Sequence, residues 1–410
     1  MLTGAAGPAR PGVERLVRGD ADPAARAAAQ RPRVLYVIND ARFTTTHYQA
    51  LAQSAARRGA EVEIAVPPAP EVETLRDAGF RVHDLPLDRR GMNPVTDLRL
   101  LVALRRLYRA RRPVVVHHIT LKPVLYGTLA ALSAGVPRIV NSISGLGYLF
   151  GSSGPREAAV RAAVLAVYRR AFADDRVRLV FENPDDRQLF VGGGFVPPER
   201  TTLVLGAGVD ETRFVVRPIP PGDPVVLLPA RMLWDKGVGE FVAAARLLRA
   251  RGVRARFVLA GGLDVNRAAV PEAQLRTWTD EGVVEWWGLR DDMPDVLAQA
   301  TLVVLPSYRE GCPKALLEAA ACGRAIVTCD VPGCREAVRP GENGLLVPAR
   351  DAHALGDAVE RLLADADLRA AMGRAGRVRA EREFAADRVT ADVLGAYTPF
   401  VSSDAAATPA

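Results

Sequence analysis

Lysine is nearly missing from this chain. Of 54 basic residues only Lys122, Lys236 and Lys314 are lysine. An ammonium is a compact point charge and a guanidinium a wide planar fork. A lysine kept against so strong an arginine bias therefore marks a place where a compact charge is wanted. Cysteine is scarce as well. The four cysteines, Cys312, Cys322, Cys329 and Cys334, fall within 23 residues, and none forms a C-x-x-C pair. With no histidine close by in sequence, this counts against a zinc site and fits small buried residues in a reduced protein. No apolar run reaches the ~18 residues of a membrane-spanning helix. The start of the chain lacks the apolar core of a signal peptide. No G-x-G-x-x-G follows a strand-like run, which counts against a nicotinamide or flavin dehydrogenase. No Walker A sequence is present, which counts against a P-loop NTPase. No D-x-D pair stands where a sugar transferase holds its metal, and Asp291 and Asp292 sit in a loop without a third ligand. Neither a metal nor a cofactor is expected.

The 410 residues, 49% apolar, suffice for about two domains with cores of their own. A net charge of +7 and a pI near 9.5 favour anionic partners: nucleotides, phospholipid surfaces or nucleic acid. Residues 1–30, rich in Ala, Pro, Arg and Gly, read as disordered, and so do residues 401–410. Between them, strand-like runs alternate with helical patterns, the signature of α/β units with parallel sheets. The first series is RVLYVI (33–38), VEIAVP (62–67), VVVHHI (114–119), RIVNSI (138–143) and RLVFEN (178–183). The second is VVLLPA (225–230), ARFVLAG (255–261), VVEWWG (283–288), LVVLPS (302–307), AIVTCD (325–330) and GLLVPA (344–349). The proline-rich RFVVRPIPPGDP between them reads as a linker. The pattern predicts two Rossmann-like domains facing each other, with ligands beyond the C-terminal strand ends. All three lysines lie just after such ends.

In YREGCPKALLEAAACG (308–323), Gly311 signals a turn and Pro313 suits the first helical position. LLEAAA forms helix and Gly323 stops it. The helix start offers bare N–H groups and a positive dipole end to an anion. Glu310 lies just outside this helix and Glu318 more than a turn inside it. Two carboxylates beside an anion site suit a ligand with both phosphates and hydroxyls, such as a nucleotide sugar. The alternative is a solvated Glu310 and a Glu318 that pairs locally.

LPSYREGCPKALLEAAACGRAIVTCDVPGCREAV resembles the core signature of the family-4 glycosyltransferases, which have the GT-B fold. The E-x7-E element falls on Glu310 and Glu318. ARMLWDKGVGEFVAAARLL is similar to the family's phosphate clamp, with Arg231 and Lys236 as its cations, and NGLLVPARDAHAL continues the match. HHITLKPVLYG and NSISGLGYLF resemble a narrower branch that builds capsule, O-antigen and related glycans on lipid carriers. The likeness covers about residues 31–400. Two departures stand out. The loop after the first strand reads NDARFTTTH where many members carry Gly-Gly, and Ala230 replaces a glycine that often precedes the clamp arginine.

The resemblance implies a division into residues 31–210 for the acceptor and 211–383 for the donor. A helix at 384–400 returns to the first domain. It implies that Glu318 holds the ribose hydroxyls and that Glu310 accepts from donor-sugar hydroxyls. The N–H groups of Gly311, Cys312 and Lys314 face the diphosphate. Arg231 and Lys236 neutralise charge growing on the leaving phosphate, in place of a metal. One of His117 and His118, adjacent on a strand and so on opposite faces, is expected to reach the donor or acceptor sugar. Lys122 is expected to meet an acceptor phosphate.

LRLLVALRRLYRARR (98–112) reads as a basic amphipathic helix. Its apolar stripe is at 100, 101, 104, 107 and 108, and its arginines are Arg99, Arg105, Arg106, Arg109, Arg111 and Arg112. Arg105, Arg106 and Arg109 are the expected contacts with an anionic membrane surface; an ordinary Rossmann helix with an arginine-rich solvent side is the other reading. The function implied is a retaining, metal-independent transfer of a hexose or N-acetylhexosamine. The donor is a nucleotide diphosphate sugar, UDP-linked in preference to GDP-linked. The acceptor is a polyprenyl-diphosphate-linked saccharide at the inner face of the cell membrane, and no nucleic acid takes part. The rival readings are transfer to a soluble acceptor, UDP-sugar 2-epimerisation, and a non-catalytic binder of nucleotide sugars.

Overall fold

The computed structural model describes residues 31–88, 93–144, 154–266, 268–398 and 400–401. Residues 1–30 and 402–410, and the GLGYLF part of NSISGLGYLF, lie outside the described residues.

Seven strands build the first sheet: β1 (Arg33–Ile38), β2 (Glu61–Val66), β3 (Arg81–Asp84), β4 (Val115–Ile119), β5 (Arg138–Ile143), β6 (Val177–Phe181) and β7 (Thr201–Leu203). Their spatial order is β3-β2-β1-β4-β5-β6-β7. Six build the second: β8 (Val225–Pro229), β9 (Arg256–Ala260), β10 (Glu285–Trp286), β11 (Leu302–Leu305), β12 (Ala325–Cys329) and β13 (Gly344–Val347), in the order β10-β9-β8-β11-β12-β13. Every pairing is parallel. Parallel strands carry helices on both faces, so their sequences run apolar without interruption. Along β1, Leu35 and Val37 enter one core while Val34, Tyr36 and Ile38 enter the other. Along β8, Val226 and Leu228 part from Val225 and Leu227 in the same way.

Eleven strands match runs read from the sequence. The two that the sequence did not announce, β3 and β7, are edge strands. Their partly exposed residues blur the apolar run that marks central strands. The helix Ala366–Glu383 packs on the second sheet through Met372 and Ala380. The chain then crosses at Phe384, where Val209 N–H donates to the Phe384 carbonyl at 2.8 Å and Ala386 N–H to the Val209 carbonyl at 3.0 Å. The last helix, Ala386–Gly395, buries Val389, Val393 and Leu394 against the first sheet. This is the GT-B arrangement. In each sheet the strand order reverses at one place, between β1 and β4 and between β8 and β11. Open α/β sheets bind their ligands there.

Candidate active site

The turn after β8 carries Arg231 and Lys236. A single 3-10 turn, Trp234–Lys236, ends at Gly237, whose φ is +74°. A Cβ on Gly237 would stand 2.2 Å from the Pro306 carbonyl oxygen, so only glycine lets this turn meet the loop after β11. That meeting puts Lys236 over Glu310. Lys236 Nζ donates to Glu310 Oε1 at 2.5 Å, and Ser307 Oγ donates to the same oxygen at 2.7 Å. Both side chains of the pair are largely buried, 18% and 11% exposed. A second glycine, Gly333 at φ +88°, backs the same loop: a Cβ there would meet the Glu310 carbonyl at 2.5 Å. Arg231 pairs with Asp264 at 2.6 Å and keeps half its side chain in solvent.

Lys314 opens the helix Lys314–Ala321. One turn on, Glu318 is largely buried, and burial raises its pKa against the pull of Lys314, whose Nζ is 3.5 Å away. Lys314 also reaches the first half of the chain, donating to the Thr46 carbonyl. Further contacts join the halves here. Asn183 Nδ2 donates to the Gly311 carbonyl at 3.0 Å. Arg309 pairs with the buried Asp186.

The loop after β1 supplies groups that the sequence reading passed over. Having no Gly-Gly, NDARFTTTH read only as a loss. Instead the chain forms a short helix, Ala41–Phe43, capped by Asp40, then a π-helical turn, Thr44–Tyr48. Such turns recur at functional sites. The turn presents His47, whose ring packs on Phe43 with centroids 4.2 Å apart and planes tilted by 37°. Burial, and then the charges of Lys314, Arg231 and Lys236, lower the His47 pKa to about 3. Those three cations thus share one region with a neutral imidazole. Just past β6, burial pushes Glu182 from the usual 4.5 to about 8, with Asp186 and Glu310 adding to the rise. Tyr48 OH lies 3.5 Å from it. At the end of β4, Thr120 holds φ +73° and its buried hydroxyl has no partner among the described residues. A β-branched residue in that region is strained by about 1–3 kcal/mol, and such strain gathers at functional sites. A histidine among threonines where a glycine pair was sought was the one visible signal.

Three expectations need correction. Neither His117 nor His118 reaches the cleft: both lie inside β4, which continues to Ile119, and both are fully buried. His117 bonds through Nδ1 to Tyr397 OH and through Nε2 to Ser142 Oγ, each at 2.7 Å. His118 bonds to Asn141 Oδ1 at 2.8 Å and Tyr108 OH at 2.9 Å. Alternation did send them to opposite faces, but both faces are covered. Lys122 is not open to a phosphate either. Its Nζ donates to Asp97 Oδ1 and to the Asp88 carbonyl, each at 2.8 Å. On the basic helix Pro94–Arg111, Leu100, Leu104 and Tyr108 of the expected stripe face the core, and Arg111 is tied to the buried Glu63. The exposed face is different: Val95, Leu98 and Val102 at 59, 60 and 39% exposure, followed by Arg105, Arg106 and Arg109. Among the described residues no three His, Cys, Asp or Glu side chains are grouped to hold a metal, and no helix is long and apolar enough to cross a membrane.

Two family models match the chain: "Glycosyl transferase 4-like" over residues 33–180 and "Glycosyl transferases group 1" over residues 223–365. The N,N'-diacetylbacillosaminyl-diphospho-undecaprenol alpha-1,3-N-acetylgalactosaminyltransferase of Campylobacter jejuni is 29% identical over 322 residues, covering 75% of this chain and 83% of its own. The alpha-maltose-1-phosphate synthase of Mycolicibacterium smegmatis is 31% identical over 355 residues, covering 78% and 88%. The Anabaena HepE structure, determined with UDP and glucose, superposes with a TM-score of 0.70 at 16% identity, over 89% of this chain and 99% of that one. With both halves matched and a relative above 30% identity along most of its length, this chain belongs to the group 1, family-4-like glycosyltransferases and is a glycosyltransferase of GT-B fold.

Proposed function

We propose that the enzyme moves a hexose or N-acetylhexosamine, with retention and without a metal, from a UDP-sugar to a saccharide on a polyprenyl diphosphate. The observation that carries this is the gathering of Lys236, Glu310, Arg231, Lys314 and Glu318 around the β8/β11 switch point and the adjoining helix start. That set offers cations for a diphosphate, a buried carboxylate for ribose hydroxyls, and a fixed carboxylate for sugar hydroxyls. In this reading residues 211–383 hold the donor and residues 31–210 the acceptor. The acceptor hydroxyl attacks the anomeric carbon on the face that the phosphate leaves. The bond from that carbon to the diphosphate oxygen breaks as the new glycosidic bond forms, and the departing phosphate takes the hydroxyl proton. Arg231 and Lys236 stabilise the charge that develops on it, the kind of preorganised electrostatics that gives the largest catalytic gains. The named Campylobacter relative, which acts on a diphospho-undecaprenol saccharide, and the UDP in the Anabaena structure support acceptor and donor class.

The acceptor's lipid calls for contact with a bilayer, and the exposed face of Pro94–Arg111 suits one. Val95, Leu98 and Val102 enter the interface, while Arg105, Arg106 and Arg109 meet anionic headgroups, each adding about 1 kcal/mol. The enzyme would then work as a peripheral protein on the inner leaflet. The test is UDP release from a panel of UDP- and GDP-sugars, with and without a polyprenyl-diphosphate-linked N-acetylhexosamine, in EDTA. Acceptor-dependent release from a UDP-sugar in EDTA is expected. Release restored only by Mg²⁺ overturns metal independence, and release without acceptor favours hydrolysis or epimerisation.

A further inference from the structure

We infer that His47 binds a sugar hydroxyl through Nε2, fixing that hydroxyl against the diphosphate clamp. The inference rests on the donor-site reading above. It begins from hydrogen bonds that leave one tautomer. Thr46 Oγ1 lies 2.7 Å from His47 Nδ1, and it also lies 2.9 Å from the Arg42 carbonyl. A carbonyl only accepts, so the threonine hydrogen goes to Arg42 and its oxygen faces the ring as an acceptor. The threonine contact therefore places the proton on Nδ1. In the neutral imidazole Nε2 then carries a bare lone pair. Among the described residues no group is bonded to Nε2.

The surroundings say what that lone pair can take. Lys314 donates to the carbonyl of Thr46, the residue next to His47, so the ring sits at the seam between the halves. The charges of Arg231 and Lys236 bear on it as well. Cations disfavour an imidazolium, and burial, the larger cause, disfavours it further. A substrate closing over the site deepens that burial. A phosphate oxygen offers only lone pairs, so a neutral Nε2 repels it while the cations attract it. A sugar hydroxyl has the opposite character: it donates to Nε2 and brings no charge. Packing on Phe43, with the ring planes tilted by 37°, restrains the imidazole before substrate arrives. Two hydroxyls meet the description, one on the transferred sugar and one on the acceptor, and experiment distinguishes them.

The variants are His47→Asn and His47→Gln. Asparagine keeps an N–H near the Nδ1 position, for Thr46, and removes the acceptor at Nε2. Glutamine returns an amide oxygen close to Nε2. Calorimetry with UDP, UDP-glucose and UDP-N-acetylgalactosamine is paired with transfer to a polyprenyl-diphosphate-linked N-acetylhexosamine. UDP affinity is expected to hold in both variants. A loss of about tenfold is expected for His47→Asn, with partial recovery in His47→Gln. If the loss is in affinity for the whole UDP-sugar, the hydroxyl belongs to the donor. If it appears only in transfer, the hydroxyl belongs to the acceptor. Should His47→Asn not fold, the ¹⁵N resonance of Nε2 in the wild-type protein decides. It is expected to shift with the UDP-sugar, or with UDP plus acceptor, and not with UDP alone. Unchanged sugar affinity and transfer in His47→Asn overturn the inference, as does an equal loss of UDP binding in both variants. Wild-type protein that fails to bind UDP overturns the donor-site reading itself, and this inference with it.

Discussion

The two switch points share one topology and use their polar side chains in opposite ways. Beyond β8 and β11, Arg231, Lys236 and Glu310 sit on turns that glycines press together, with Lys236 held against Glu310 and Arg231 against Asp264. Around β4, His117, His118 and Lys122 carry equally conspicuous chemistry, and all three are absorbed into the fold. For the two histidines the cause is position along the strand. A side chain within a strand buried on both faces must find partners inside the core. Lys122 lies beyond the strand end and is taken up by Asp97 instead. Substitutions near β8 and β11 should act chiefly on catalysis, and those around β4 should move stability at nearly constant kinetics.

The sharpest break would come at Lys236. Lys236→Ala is expected to lower kcat about 10²–10³-fold, as loss of one preorganised charge donor does, with a smaller change in UDP affinity. A kcat within a few-fold of wild type would put the clamp elsewhere. At the first switch point His118→Ala should do the reverse. It opens a cavity and leaves Tyr108 and Asn141 without their partner, for a loss of about 3–5 kcal/mol by urea denaturation. Residual folded enzyme should keep its KM values.

Glu318→Ala is expected to weaken UDP binding by about ten- to hundredfold, which calorimetry would read, since hydrogen bonds to a charged group are worth about 1.5–3 kcal/mol. Lys122→Met should cost about 1–3 kcal/mol of stability by leaving the buried Asp97 without its cation. The acceptor KM should not change. A raised KM with unaltered stability would return Lys122 to the acceptor site.

The smallest effect is a pH dependence with two limbs. His117 and His118 fall from 6.5 to about 3 and about 4 through burial, so both stay neutral in the fold. The unfolded chain then binds more protons, and stability is lost as pH falls below about 6.5. Glu182 has the opposite sign. Its pKa rises from 4.5 to about 8, the fold holds the proton, and stability declines as pH rises between those values. Each group contributes at most about 1.4 kcal/mol per pH unit. Glu182→Gln should flatten the decline towards pH 8 and leave the acid limb in place. Denaturation midpoints at pH 5, 6.5 and 8 would show it.

The central strands and the donor-side motif were legible because both are local. A doubly covered strand must be an unbroken apolar run. The Arg231–Lys236 and Glu310–Glu318 spacings each lie on one turn or one helix start. The edge strands β3 and β7 escaped because half-exposed residues carry no such run. The outward face of Pro94–Arg111 escaped because counting apolar positions finds the face that packs and passes over Val95, Leu98 and Val102. His47 was hidden by an expectation of glycine, and its tautomer depends on the carbonyl of Arg42 and the hydroxyl of Thr46.

The sequence by itself determined the strand-and-helix order, the two-sheet GT-B architecture and the presence of a charged turn after β8 and after β11. Apolar period, glycine and proline act over a few residues, so a linear reading reaches them. Only the tertiary structure decided which polar groups are free to act. Burial of His117 beneath Tyr397, the tie from Lys122 to Asp97, and the meeting of His47 with Lys314 join residues 280, 25 and 267 positions apart. Whether a side chain faces solvent, a core or a cleft is set by what folds over it, and chain order carries no record of that.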